Sequence, residues 1–233
     1  MNWVIANIQT VLDLAVAHVA LAAPPIVIGL LLSLPLGWLA NRYTRARGLL
    51  LTAGGLLYTI PSIALILVVP GLIGTSLLDP RNIVIALTVY AVALMVRITT
   101  DALASVPGDV KQSATAMGYA GWARFWRVEL PLAGPVLLAG LRVVSVSTVS
   151  MVTVGSLIGV QSLGTMILSG YRRSFFTEIF TGVVGILVIA LVFDLILVLL
   201  GRALMPWSRS TSSRARRRSS TAASPIAVTG GLS

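Results

Sequence analysis

Five stretches of the chain are apolar for long enough to cross a bilayer: about Val16 to Ala40, Gly48 to Val69, Asn82 to Thr99, Leu132 to Val160 and Gly182 to Leu204. Each predicts a helix, because hydrocarbon offers the backbone no water and every N–H and C=O has to be satisfied within the segment. Pro24, Pro25, Pro35 and Gly37 break the first run, which a bundle tolerates where neighbouring helices serve the freed carbonyls. In the second run, Tyr58-Thr59-Ile60-Pro61-Ser62 predicts a kink with exposed carbonyls, since Pro61 removes a helical hydrogen bond. Pro70 to Arg81 reads as a short Gly/Pro loop, and Gln161 to Thr181 as a loop or partly inserted hairpin.

One long amphipathic segment, residues 101–131, lacks enough apolar residues to span and lies between two runs that have enough. Pro107 suits a first helical turn, Asp109 places a carboxylate at the positive end of the dipole, and Gly118 can close the helix in a left-handed conformation. Val110, Ala114 and Met117 fall at i, i+4 and i+7, a narrow stripe flanked by Lys111, Gln112 and Thr115 that fits a groove on a soluble partner. A second short helix is expected from Trp122 to Val128. There Trp122 and Trp126, flanked by Arg124 and Arg127, have the composition of a membrane-interface anchor.

Composition agrees with a bilayer as solvent: 57% of 233 residues are hydrophobic and 10% charged, with a mean hydropathy of +0.96, too little polar surface for a soluble globule. The fold class expected is an all-α polytopic membrane protein of about five transmembrane helices with a short amphipathic helix on the side of a soluble partner. Residues 1–206 form the transmembrane domain, and 207–233 form a disordered basic tail able to meet anionic lipid. The net charge of +10 gathers at span ends and in the tail. It therefore reads as a topology determinant and implies no nucleic-acid partner. With no cysteine, disulfides, thiolate metal sites and a cysteine nucleophile are excluded. One histidine, His18, reads as an interfacial residue at the edge of the first span. No convergent set of catalytic side chains, no metal site and no Gly-x-x-x-x-Gly-Lys-Ser/Thr loop is present, so the chain is not expected to be an enzyme or to hold a cofactor.

Inside the spans, Arg142 and Asp194 reach a similar depth, about 16 Å and 18 Å along oppositely directed helices, and an unpaired charge there is costly. An interhelical ion pair of structural role is expected. Arg97 and Asp101 are spaced to pair at i, i+4. In the fourth run Ser145, Thr148, Thr153 and Ser156 share an arc of roughly 140° at about 100° per residue. Either that arc faces a polar pathway, or its small residues let helices approach closely. Tyr58, Pro61, Ser62, Tyr90, Ser145, Thr148 and Thr153 are the candidate pathway-lining residues.

The segment Gln112-Ser113-Ala114, three residues, Gly118, nine residues, Val128-Glu129-Leu130-Pro131 resembles the coupling-loop signature of inner-membrane permease subunits of binding-protein-dependent ABC importers. That signature reads Glu-Ala-Ala, three residues, Gly, nine residues, Ile-x-Leu-Pro. Gly118, Leu130, Pro131 and Ala114 match it. Gln112 stands in place of Glu and Ser113 in place of Ala, so the resemblance carries a docking role without a particular salt bridge. Further likeness runs over about residues 18–204: Pro35-Leu36-Gly37, Thr59-Ile60-Pro61-Ser62 with Ala64-Leu65, Asn82 to Leu87 with Tyr90, Gly140-Leu141-Arg142 and Leu163-Gly164-Thr165. These are similar to permeases that import glycine betaine, carnitine and choline. Gln161-Ser162 replaces the usual Gly-Gly before Leu163.

What the resemblance implies is a subunit that does no bond chemistry. ATPase subunits, carrying the ATP and Mg, dock on Val110, Gln112, Ala114, Met117 and Gly118; a second permease, different rather than identical, completes the path; an extracytoplasmic binding protein delivers the solute. The expected location is the inner membrane, with the N-terminus outside and the C-terminus cytoplasmic; only Arg81, Arg172 and Arg173 then fall outside. The alternatives are a same-fold importer for an amino acid or an oxyanion, and an ATP-independent channel, which would have no use for a coupling helix.

Overall fold

The computed structural model describes residues 2–119 and 121–208; the tail beyond 208 lies outside the described residues. Every regular element among the described residues is helical. A short α1 (Asn2–Ala6) leads into α2 (Ile8–Arg42), followed by α3 (Thr44–Thr59), α4 (Ser62–Ile73), α5 (Pro80–Ala104), α6 (Gly108–Ala116) and α7 (Gly121–Arg124). A π-helical turn (Phe125–Glu129) passes into α8 (Leu130–Val152), and after a 3-10 stretch (Thr153–Ile158) come α9 (Leu163–Arg172) and α10 (Phe176–Leu204). Four of these helical segments are long and apolar enough to cross a membrane, or five if α3 and α4 count as one span.

The first span is longer and more regular than its prolines suggest. Helix α2 runs unbroken through Pro24, Pro25 and Pro35, because one face is held along α5 for much of its length. Small residues make that contact close: Gly29 packs so tightly that a Cβ there would stand 2.6 Å from the Cβ of Ala91, and Gly37 abuts Thr99. Between them Ser33 is buried and accepts from the Thr99 hydroxyl at 3.3 Å. Such a stripe at i, i+4, i+8 brings backbones together where lipid supplies no hydrophobic drive between helices.

Pro61 does more than kink. The chain turns by 103° between α3 and α4, with Ile60 and Pro61 extended at ψ of about 130°, as expected before and at a proline whose ring excludes the preceding turn. The carbonyl expected to be exposed there is satisfied, since Tyr90 on α5 donates its hydroxyl to Ile60 O. Pro70 is helical within α4, and the turn that follows closes at Gly74, φ +72°. Asn82, fully buried, donates to Ser76 O at 2.7 Å and accepts from Thr75 at 2.5 Å, which pins that turn to the start of α5.

The segment read as a loop or hairpin is helix α9, opened by a capping box in which Ser162 and Thr165 serve each other's backbone N–H groups. Ser162, one of the two residues that replace Gly-Gly, is thus the cap. Helix α10 begins at Phe176, six residues before the expected start of the span.

Three apolar layers fill the bundle: Ile83, Leu87, Val149, Val152 and Leu163 at the end far from α6, Met95, Leu141 and Val144 in the middle, and Leu103, Phe125 and Leu137 at the coupling end. His18 is not interfacial. It is fully buried between α2 and α8, and its Nε2 donates to Val149 O at 3.0 Å. Hydropathy places it near a span end, but the extension of α2 to Ile8 carries position 18 deep into the bundle. Asp101 lies 3.6 Å from Arg47 on α3 and not beside Arg97; both partners are largely exposed, so the contact contributes little.

Candidate functional site: the coupling segment and the span walls

Helix α6 is short because its sequence stops it. Pro107 precedes the first turn, Asp109 sits within it, and Gly118 at φ +89° lets the N–H groups of Met117, Gly118 and Tyr119 return to the carbonyls of Ser113, Thr115 and Ala114, each at 3.0 Å. On one side the helix is tethered to the bundle. Lys111 Nζ donates to Leu103 O at 2.8 Å, Arg124 Nη1 donates to the Thr115 hydroxyl at 2.9 Å, and Arg124 Nε donates to Glu129 Oε1 at 2.6 Å. Glu129 is 2% exposed, and Arg124 lies against it as its counter-charge. The opposite side is bare: Gln112, Ser113, Ala116 and Gly118 are exposed, and Met117 is 70% exposed.

This divides the expected stripe. Ala114 is buried against the bundle and Val110 half-buried, while Met117 projects outward. The reason is the helix end: Met117 is the cap, at ψ +5°, and no longer follows the 3.6-residue period. The tether itself was not found by sequence reasoning. Arg124 and Glu129 are five apart, which an α-helix sets on different faces. The π-helical turn, in which Leu130 N–H bonds back five residues to Phe125 O, aligns them. Trp122 and Trp126 are exposed at this end; Trp122 also meets Trp38 edge-on, 5.3 Å between centroids, and stacks on Phe125.

Of the pathway candidates, Tyr58 and Pro61 are exposed at the break between α3 and α4, Ser62 is half-buried, and Tyr90 is buried beneath them. The two tyrosine rings meet edge-on at 5.8 Å. On α8, Ser145 and Thr148 are buried inside the chain's own bundle, while Ser150 is exposed. Thr153, half-buried, donates to Ser150 O at 2.7 Å. A common arc on a helix identifies a shared face, and its members here differ in burial. Arg142 and Asp194 face each other across α8 and α10 in a bidentate pair, Nε to Oδ1 2.5 Å and Nη2 to Oδ2 2.8 Å. No cluster of three His, Cys, Asp or Glu able to hold a metal occurs among the described residues.

A polytopic helical bundle with a short tethered helix bare on one face has the architecture of a membrane permease subunit. The chain belongs to the family described as binding-protein-dependent transport system inner membrane component, which matches residues 26–210. It is a multi-pass inner-membrane permease subunit of an ABC importer, and its role is translocation without catalysis. It is 31% identical over 209 residues to the osmoprotectant import permease protein OsmW of Salmonella typhimurium, covering 88% of this chain and 97% of that one. Similarity also extends to the glycine betaine/carnitine/choline transport system permease protein OpuCB of Bacillus subtilis, 26% identical over 81% of this chain and 86% of that one. The fold is shared with the MetNI methionine ABC transporter in an inward-facing conformation: TM-score 0.72, 20% identity, 84% of this chain and 97% of that one.

Proposed function

We propose that the chain forms half of the translocation path for an osmoprotectant quaternary amine such as glycine betaine, choline or carnitine, and couples it to separate ATPase subunits through α6. The observation that carries the coupling role is the asymmetry of that helix, fixed to the bundle through Lys111 and Arg124 and bare at Gln112, Met117 and Gly118. A push on the bare face is passed to α5 and α8 through those tethers. ATP closes the ATPases, α6 moves with them, and the spans alternate access. Residues 1–206 act as the transmembrane domain and the basic tail stays in the cytoplasm, the N-terminus lying outside. The substrate class is supported by the two relatives whose names carry osmoprotectant import and glycine betaine, carnitine and choline transport. Aromatic faces attract quaternary ammonium groups. Tyr58 and Tyr90 are the aromatic pair beside the break, so specificity resides mainly in the binding protein and the path binds weakly enough to release. A second, different permease completes the path.

Radiolabelled glycine betaine uptake into proteoliposomes holding both permeases, the ATPase and the binding protein is expected to require internal ATP and the binding protein together. No uptake, with ATPase activity still stimulated by a binding protein loaded with an amino acid or an oxyanion, would keep the coupling role and replace the solute. Uptake without ATP would instead point to a channel.

A further inference from the structure

At the coupling end, a cavity of about 420 Å³ opens between the last turn of α2, helix α6 and the π-helical turn. Its wall carries three cations, Arg42, Lys111 and Arg124, and one carboxylate, Glu129. That carboxylate is already held by Arg124 at 2.6 Å. Lys111 has only the neutral Leu103 carbonyl, and Arg42 lies over the rings of Trp38 and Tyr43, each 5.7 Å from its guanidinium carbon. Among the described residues, neither Arg42 nor Lys111 is paired with a carboxylate.

The depth of the cavity is set by its neighbours. Trp38, at the end of a span, meets Trp122, which meets Trp126 at 5.5 Å, an aromatic girdle of the kind that sits at the membrane–water boundary. A guanidinium and an ammonium that line one cavity suit the oxygens of a phosphate group, and basic pockets between spans at this level bind lipid head groups.

We infer that this cavity is a binding site for a phosphate group, supplied by an anionic phospholipid head group or by free phosphate. Its two unpaired cations come from different elements, Arg42 from α2 and Lys111 from α6. The bound anion therefore ties the coupling helix to the first span, and its presence governs how far a displacement of α6 reaches the bundle. The inference does not depend on which solute is carried.

The assembled complex, purified with its partner subunits, is to be examined by native mass spectrometry after exchange into phosphatidylglycerol or phosphatidylcholine. Thermal unfolding in inorganic phosphate against chloride at matched ionic strength forms the second arm. Retention of phosphatidylglycerol over phosphatidylcholine is expected in the parent protein. It should weaken about fivefold for each charge removed in Arg42→Gln and Lys111→Gln, persist in Arg42→Lys, and be unaffected by Arg127→Gln, which removes a charge nearby but outside the cavity. Stabilisation by inorganic phosphate that is lost in Arg42→Gln, without lipid preference, would establish the same site with a soluble ligand. Equal lipid retention and equal phosphate response in the parent and in Arg42→Gln, which alters an exposed side chain and keeps the fold, would overturn the proposal. So would an equal loss in Arg127→Gln, which would mean diffuse surface attraction only.

Discussion

At Gly118 the backbone adopts φ +89°, and a Cβ added there would meet no other atom within 4 Å. Substitution is therefore penalised by conformation alone, roughly 1–2 kcal/mol for a left-handed non-glycine residue. Gly118→Asp should insert normally, hydrolyse ATP with its partners, and lose most uptake, because the bare end of α6 changes shape and gains a charge. Normal uptake in that variant would remove Gly118 from the coupling role. Arg142 and Asp194 present a different case, in which the two charges are defined by each other. Arg142→Asp or Asp194→Arg alone should sharply reduce the yield of assembled protein on gel filtration, and the exchanged pair should recover most of it. Failure of the exchange would mean that each residue serves another partner.

Among the elements, the seam between α2 and α5 shows what the apolar pattern conceals. Pro24, Pro25 and Pro35 suggest a broken helix, yet α2 is continuous from Ile8 to Arg42, since Gly29, Ser33 and Gly37 let it lie close along α5. Gly29→Ala should destabilise the protein by about 1–3 kcal/mol through overpacking, read as a lower unfolding temperature in detergent. Adding Ala91→Gly should restore much of it, because the two Cβ atoms would otherwise stand 2.6 Å apart. If the second change makes matters worse, the contact is not what limits the approach. Helix existence was legible here, since long apolar runs have few alternatives in lipid. Boundaries were less so: α10 starts at Phe176 and α9 was concealed, because a span's polar first turns and a short capped helix both look like loop in hydropathy alone.

For the molecule as a whole, two of the helices leave most of their surface open. Helix α3 buries no residue, and α10 buries only Glu178, Gly182, Ile189 and Gly201 along 29 residues. Lipid and a second permease would cover these faces. The orientation we propose can be read directly, because the chain has no cysteine and any introduced one is unique. Ser113→Cys should react with a membrane-impermeant maleimide only in inside-out vesicles, and Ser76→Cys only in right-side-out ones. Both reacting from the same side would mean that α5, the one helix between them, does not cross, and would overturn the proposed arrangement.

By itself the sequence determined the solvent, the helical class, the docking segment with its terminating glycine, and the family, because each follows from local composition or from spacing along one helix. Only the tertiary structure decided where the faces point. Ser145 and Thr148 share an arc, and both are buried within the bundle. The extended break at Ile60 and Pro61 leaves the Ile60 carbonyl without a helical partner, and Tyr90, thirty residues away, serves it. Arg124 and Glu129 meet only because five residues of π-helix realign them. Which surface is buried, which carbonyl is served and which charge is paired depend on residues far apart in the chain, and a periodicity read along one helix has no access to the neighbour that covers it.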